Sequence, residues 1–239
     1  MKRNSINDSG YRIPILYEDN HIIAVNKPAG VLVQSDRTGD KPLIDIIKDY
    51  IKVRDNKPGG VYLGCVHRLD RPVSGAILFA KTSKALDRLN KLFKQREVRK
   101  TYWAIVRNQP SQPEGHLTHW LIKDPETNTV TAHPTELPGG LYSELDYRLI
   151  SAGKNWFLVE VYPLTGRPHQ IRVQLASMNC PIRGDKKYGA PKGNSDGSIN
   201  LHARKIAFIH PVRREPLEIE AQLPAGTFWE QVEKEMSRS

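Results

Sequence analysis

A carboxylate flanked by two arginines is the feature of this sequence best suited to chemistry. Asp70 lies in the segment HRLDRPVSG (residues 67–75), between two short apolar runs at 61–66 and 76–80. Such runs, bounded by Gly and Pro, predict buried strands, and loops held by a rigid scaffold are where catalytic groups are usually placed. The neighbouring guanidinium groups of Arg68 and Arg71 favour the ionised carboxylate, the form that acts as a nucleophile or a base. A surface ion pair is the competing interpretation of the same residues.

Two further segments carry basic turns. In TGRPHQIR (residues 165–172), Gly166 permits a sharp turn from which Arg167 projects. An arginine in that position can pair with a carboxylate or grip a phosphate with two hydrogen bonds. The competing interpretation is the first turn of a helix with solvated arginines. The segment PIRGDKKYG (residues 181–189) alone predicts a basic surface loop.

Charge and composition narrow the class of protein. The chain has 239 residues, and 36 Lys and Arg against 26 Asp and Glu give a formal net charge of +10. This charge favours a polyanionic partner, most often nucleic acid, although a solubilising surface would also explain it. No apolar run is long enough to cross a membrane. Cys65 and Cys180 form no C-x-x-C pair, which argues against a zinc site or a disulfide framework and favours a reducing cytoplasm.

Strands and helices that would position these residues follow from apolar periodicity and turn signals. Strands are predicted at 15–18, 21–25, 61–66, 76–80, 99–106, 142–149, 155–164 and 201–211, and helices begin at Pro42, at Thr82 or Ser83, near Pro168 and at Thr227. Residues 109–140 predict a loop-rich excursion with one or two short strands. Residues 1–14 predict a frayed, flexible tail. Because no linker interrupts the rest, residues 15–239 are expected to form a single α/β domain.

Five ordered blocks carry a resemblance to a known family. They are HRLDRPVSG, RKTYWAIV, TGRPHQIRVQLA, PIRGDKKYG and LHARKIAFIHP, preceded by ILYEDNHIIAVNKPAGVLV. In this order the chain resembles the RluA-type pseudouridine synthases from about residue 15 to about residue 223. The resemblance implies an α/β (α+β) fold with a mixed, largely antiparallel sheet in two lobes and a central catalytic cleft. It departs from many relatives at Val73 (Thr in those relatives) and Gln174 (His).

The resemblance also implies roles for individual residues. Asp70 would be the essential nucleophile, Tyr102 would stack on the target base, and Arg167 would hold and ionise Asp70. Leu175 or an apolar neighbour would line the base pocket. Arg68 would contact the flipped nucleotide or its neighbours. Together with the basic face of the helix at 84–96, the expected RNA-binding residues are Arg68, Arg71, Lys84, Arg88, Lys91, Arg172, Lys186 and Lys187.

The implied reaction breaks the N1–C1′ bond of uridine, turns the uracil and rejoins it through C5. No net redox change or hydrolysis occurs, so we expect no cofactor and no metal, and the sequence offers neither metal-ligand spacing nor a Gly-rich dinucleotide loop. The carboxylate could attack the sugar or the base, or abstract the C2′ proton, and the sequence leaves these three open. Flipping the base out costs a few kcal/mol, which stacking on Tyr102, worth about 1–3 kcal/mol, would partly offset.

The expected partner is structured RNA, either ribosomal or transfer RNA. Many relatives carry an N-terminal S4 RNA-binding domain; only about fourteen residues precede the first family block here, so RNA affinity is expected to reside in the catalytic body. We expect a cytoplasmic monomer with no membrane association and no obligate protein partner.

Two other functions compete with this one. A glycosidase-like hydrolase would also open a glycosidic bond, but it usually needs a second carboxylate, for which Asp185 is the nearby candidate. Release of free uracil from RNA would support it. A non-catalytic RNA-binding module or RNA chaperone is the second alternative, and substitution of Asp70 would leave its activity intact.

Overall fold

The chain divides into two compact units. The computed structural model describes residues 5–8, 10–36 and 38–237. The first unit comprises Met1–Arg99 and Ala203–Gln222, and the second comprises Lys100–His202 and Leu223–Ser239. Both units mix strands with helices, so the α+β class predicted from the sequence is confirmed. No helix among the described residues has the length and apolar character needed to span a membrane.

The secondary structure elements are numbered along the chain. The strands are β1 (Ser5–Asp8), β2 (Tyr11–Glu18), β3 (Ile22–Lys27), β4 (Gly64–Cys65), β5 (Ser74–Ala80), β6 (Arg99–Val106), β7 (Glu114–Asp124), β8 (Thr129–His133), β9 (Leu141–Ala152), β10 (Phe157–Pro163), β11 (Leu201–Ile209) and β12 (Pro216–Glu220). The helices are α1 (Leu43–Arg54), α2 (Ser83–Lys94), α3 (Gln170–Ser177) and α4 (Phe228–Met236), with a 3-10 turn at Lys186–Tyr188.

In the first unit the strands follow the order β1-β2-β3-β5-β11, with β4 added to β5 and β12 to β11. Strand β5 is buried along its whole length, as expected for a short apolar run covered on both faces. Its Leu78 packs in a core with Ile22 of β3, Leu89 of α2 and Ile206 of β11. Helix α2 begins where Thr82 accepts a hydrogen bond from the Ala85 N–H at 3.2 Å, so Thr82 is the N-cap of the two candidates that the sequence offers.

In the second unit the order is β6-β10-β9-β7-β8, and each neighbouring pair is antiparallel. Helix α3 packs on this sheet, with Val173 against Leu121 and Val130. Helix α4 covers another part of the unit, where Trp229 and its neighbours form a core with β6 and β10. The Tyr102-bearing strand and the Arg167-bearing turn are therefore parts of one packed unit.

Several boundaries differ from those predicted. The expected tail is wrong for residues 5–8 and 11–14, which form paired strands with Ile6 and Ile13 buried; residues 1–4 and 9 lie outside the described part of the chain. Only Gly64–Cys65 of the predicted strand at 61–66 forms a strand. The excursion at 109–140 contains the 11-residue β7 as well as β8, because cross-strand pairing with β9 stabilises a sequence of mixed polarity.

Candidate active site

Asp70 lies in the loop between β4 and β5, as the sequence predicts. The residues on either side anchor this loop: Leu69 is 7% exposed and Val73 is 2% exposed. The Val73 N–H donates to the Asp70 carbonyl at 3.0 Å and closes a tight turn. Asp70 itself is half-buried. A carboxylate thus stands on irregular backbone that is held by apolar side chains beside it.

A buried lysine ties this loop to a second one. The side chain of Lys27, at the end of β3, is fully buried, and its Nζ donates to the carbonyls of Pro28 (3.0 Å), Val31 (2.7 Å) and Arg71 (3.2 Å). The Gly30 N–H also donates to the Arg71 carbonyl at 2.8 Å, and Arg71 Nε donates to the Gly30 carbonyl at 2.9 Å. The backbone next to Asp70 is therefore fixed from the segment that follows β3.

The Lys27 amine also shapes the electrostatics of the loop. Burial lowers its pKa to about 7, the charge of Asp70 opposes this shift, and the charge of Arg71 adds to it. Lys27 and Asp70 therefore lie close enough for their charges to interact. The sequence analysis did not single out Lys27 as a site residue. The available signal was a lysine at the end of β3, after the apolar run 22–25 and Asn26.

Glycine is required at the end of the HRLDRPVSG segment. Gly75 has a φ of +122°, and a Cβ there would lie 2.3 Å from the Ala203 carbonyl oxygen and 2.5 Å from the Ala203 nitrogen. Those contacts are with backbone of β11, which cannot yield as a flexible side chain would. The absence of a side chain at Gly75 therefore allows the start of β5 to pack closely against β11.

The residues flanking Asp70 have different environments. His67 Nε2 accepts a hydrogen bond from the Leu78 N–H at 3.1 Å, and its ring stacks on Phe93 at 5.1 Å between centroids. Its role in the loop is therefore structural. Arg68 is exposed. Arg71 is also exposed, but it pairs with Asp40 at 2.6 Å in addition to its bond with Gly30.

Tyr102 and Arg167 belong to the second unit. Tyr102 lies in β6 opposite Val161 of β10 and is half-buried. Arg167 lies in the turn between β10 and α3 and is exposed; its Nε donates to the Tyr142 carbonyl at 2.9 Å. The arginine therefore leaves the turn in the way the Gly166-Arg167 pattern indicates, with part of its guanidinium held by β9.

One expected RNA contact is wrong. Arg172 is 6% exposed, and its Nε and Nη2 donate to the two carboxylate oxygens of Asp185 at 2.7 and 2.8 Å. Its guanidinium also lies 4.9 Å from the ring centroid of Tyr188. A side chain that is enclosed and fully engaged in this way stabilises the fold and is not presented to RNA. Residues 170–175 of α3 are all buried, so position 172 lies in the interior although the segment is basic.

The other expected RNA-binding residues are mainly on the surface. Lys84 and Lys91 of α2 are exposed, and Arg88 between them is half-buried and donates to the Pro211 carbonyl at 2.9 Å. Lys186 and Lys187 are exposed in the 3-10 turn, and Lys187 Nζ donates to the carbonyls of Thr127 and Asn128 at 3.3 and 3.0 Å. Among the described residues, no group of three or more His, Cys, Asp and Glu side chains could hold a metal ion.

The chain is similar to known proteins along most of its length. Residues 21–177 match the RNA pseudouridylate synthase family. Ribosomal large subunit pseudouridine synthase C of Vibrio cholerae is 33% identical over 217 residues, which cover 88% of this chain and 66% of that protein. The protein of the same name in Rickettsia bellii is 34% identical over 212 residues, covering 88% and 68%. The chain thus spans about two thirds of the length of these curated relatives.

Solved structures of pseudouridylate synthases have a similar fold. Human RNA pseudouridylate synthase domain containing 4 superposes with a TM-score of 0.74 at 25% identity, covering 88% of each chain. Human RNA pseudouridylate synthase domain containing 1 has a TM-score of 0.66 at 22% identity over 98% of this chain and 97% of the other, a likeness of fold. The resemblance stated from the sequence blocks, the mixed fold and the enzyme class, an RNA pseudouridine synthase, are confirmed. The chain belongs to the RNA pseudouridylate synthase family.

Proposed function

We propose that this chain isomerises uridine to pseudouridine in ribosomal RNA, with the Asp70 carboxylate as the nucleophile. The observation that carries the proposal is the Asp70 loop, held on both sides by buried side chains and by Lys27, within the residues that match the family. Ribosomal RNA is favoured because the relatives in Vibrio and Rickettsia bear the name ribosomal large subunit pseudouridine synthase C. Transfer RNA is the alternative substrate.

The reaction needs a charged carboxylate in a fixed position. The N1–C1′ bond of the target uridine breaks, a C5–C1′ bond forms, the C5 proton is lost and N1 gains a proton. A negative Asp70 can serve either as a nucleophile or as a proton acceptor in such a sequence. The Lys27 amine fixes the backbone beside Asp70 through its hydrogen bond to the Arg71 carbonyl, and the exposed Arg68 and Arg71 place guanidinium groups in the same loop.

The remaining roles are proposals from the resemblance. Tyr102 would supply an aromatic face for the target base, and Arg167 a cationic partner for the nucleophile. RNA would be drawn to α2 through Lys84 and Lys91, for which no ion pair is found within the described residues. A monomeric, cytoplasmic enzyme stays our prediction.

Asp185 cannot serve as the second carboxylate that a hydrolase would need. Asp185 is 2% exposed and both of its oxygens accept hydrogen bonds from Arg172. A general acid or base must reach the proton it transfers, and an enclosed carboxylate of this kind cannot. Isomerisation, for which one carboxylate suffices, is therefore the better supported reaction.

The test uses Asp70→Asn and a matched control, Asp45→Asn, which removes a carboxylate from the exposed face of α1 in the same unit. Each variant is incubated with large-subunit ribosomal RNA tritiated at C5 of uridine, and tritium release is measured with RNA binding alongside. We expect Asp70→Asn to abolish release while binding persists, and Asp45→Asn to match the wild type.

Each contrary outcome has a distinct meaning. Tritium release by Asp70→Asn would show that another group is the nucleophile. Free uracil among the products would indicate hydrolysis. A wild-type chain that binds the RNA without releasing tritium, on ribosomal and transfer RNA alike, would favour the non-catalytic module.

A further inference from the structure

The Arg167 turn is joined to β9 by a small buried polar network. Thr165 is 8% exposed and Gln170 is 4% exposed, although both residues are polar. Buried polar side chains are costly unless their hydrogen bonds are satisfied. The partners of these two side chains therefore indicate what the network holds in place.

The hydrogen bonds of Gln170 converge on the turn. Its Oε1 accepts from the Arg167 N–H at 3.0 Å and from the Thr165 hydroxyl at 2.7 Å. Its Nε2 donates to the Glu144 carbonyl of β9 at 3.0 Å. The Glu144 N–H in turn donates to the Thr165 hydroxyl oxygen at 3.0 Å. One amide thus connects the backbone of Arg167 to the backbone of the neighbouring strand.

The side chain of Arg167 is fixed to the same strand. Its Nε donates to the carbonyl of Tyr142, two residues before Glu144 in β9. Within the described part of the chain its two Nη groups have no hydrogen-bond partner, so they are the donors left for a ligand or a reacting group. The Nε of Arg167 is thus bonded directly to β9, and its backbone N–H is connected to β9 through the side chain of Gln170.

We propose that Gln170 is a positioning residue, which sets the direction of the Arg167 guanidinium by clamping its turn to β9. The inference rests on the proposed function of Arg167 as a cationic partner in the reaction. Groups that orient a reacting side chain matter because a displacement of about 1 Å can lower a rate about a hundredfold. Gln170 touches neither substrate nor nucleophile in this role, and it acts through Arg167 alone.

The first experiment compares Gln170→Leu with Gln174→Leu. Gln174 is a matched control: it lies one turn further along α3, is fully buried, and donates to the Leu117 carbonyl of β7 rather than bonding to the Arg167 turn. Single-turnover rates and RNA affinity are measured with tritiated RNA. We expect Gln170→Leu to slow the reaction by about tenfold or more with little change in affinity, and Gln174→Leu to retain its rate.

Thr165 provides a second route to the same network should Gln170→Leu fold poorly. Thr165→Val removes the hydroxyl that both Gln170 and Glu144 use, and its rate should fall with that of Gln170→Leu. Thr165→Ser keeps the hydroxyl and should restore the wild-type rate. Equal rates for the valine and serine variants would overturn the proposal, as would an equal loss in Gln170→Leu and Gln174→Leu.

The deciding measurement combines Gln170→Leu with Arg167→Ala. If Gln170 acts through Arg167, the double variant should react at the rate of Arg167→Ala, because the guanidinium to be positioned is gone. Losses that multiply would overturn the proposal for Gln170 while leaving Arg167 in place. An Arg167→Ala chain with the wild-type rate would instead refute the proposed role of Arg167.

Discussion

Neutralising Asp185 should destabilise the second unit strongly. Arg172 was expected to meet RNA, but the structure pairs it with Asp185 in an enclosed site, with side-chain exposures of 7% and 2%. Asp185→Asn keeps the shape of the side chain and removes the charge. It leaves a guanidinium buried without its counter-ion, and breaking a buried pair in this way is strongly destabilising.

The expected size follows from the geometry. Two charge-assisted hydrogen bonds, at 2.7 and 2.8 Å, join the pair. Each such bond contributes about 1.5–3 kcal/mol, and loss of one partner of a buried pair costs about 3–5 kcal/mol. An asparagine oxygen can still accept one bond and the Tyr188 ring still faces the guanidinium, so we expect about 3 kcal/mol. That is a large part of the about 5–15 kcal/mol that stabilises a typical domain.

Urea unfolding, followed by tryptophan fluorescence, measures the free energy directly. The matched control is Glu218→Gln, which removes the charge of an exposed pair with Lys205 (2.8 Å; exposures of 34% for Lys205 and 57% for Glu218) and should cost about 0–1 kcal/mol. The double variant Arg172→Met/Asp185→Leu should be more stable than Asp185→Asn, because no charge is left unpaired. A cost below about 1 kcal/mol for Asp185→Asn would refute the reasoning, since it would mean that solvent screens the pair.

Three further predictions concern the first unit. Gly75→Ala should lower the free energy of unfolding in urea by more than about 3 kcal/mol, because its Cβ would overlap the Ala203 backbone. The control Gly10→Ala, with a φ of +80° and open space around it, should lower it by about 1–2 kcal/mol. Similar losses in the two variants would contradict the predicted contact. Because the pKa of Lys27 falls from 10.5 to about 7 on folding, the unfolded chain binds more protons between these values, so the stability of the wild type relative to Lys27→Met should rise with pH across that window. Denaturation curves at several pH values check this, and a constant difference would contradict it. The double variant Lys84→Gln/Lys91→Gln should reduce the slope of log RNA affinity against log salt concentration by about one unit per lost phosphate contact. The control Lys52→Gln on α1 should leave this slope unchanged. An unaltered slope in the α2 variant would show that this helix is not part of the RNA-binding surface.

Elements with strong local signals were predictable from the sequence. Helix α2 has Thr82 as its cap and a buried Leu89, and β6 occupies the predicted residues 99–106. Strand β7 was not predictable, because its sequence EGHLTHWLIKD carries little apolar alternation and depends on pairing with β9 and β8. The N-terminal strands were missed for a similar reason, since β1 is a four-residue edge strand stabilised by pairing with β2.

The candidate site was predictable where residue type and loop position coincide. Asp70 stands in the loop that its flanking runs indicate, and Arg167 projects from the predicted turn. Lys27 and Gln170 were not predictable as site residues, because their importance lies in backbone carbonyls and N–H groups brought close by the fold. Arg172 shows the opposite error, in which a residue type typical of RNA contacts serves the interior of the protein.

The three carbonyl oxygens around Lys27 form a socket of the kind that proteins often fill with a dissolved cation. Here the occupant is the amine of Lys27, carried on a four-carbon side chain, so it cannot diffuse away or be removed by a chelator. The group that holds the Asp70 loop therefore does not depend on the concentration of free metal ions. RNA competes strongly for free cations. Because the amine is part of the Lys27 side chain, RNA cannot remove it from the loop.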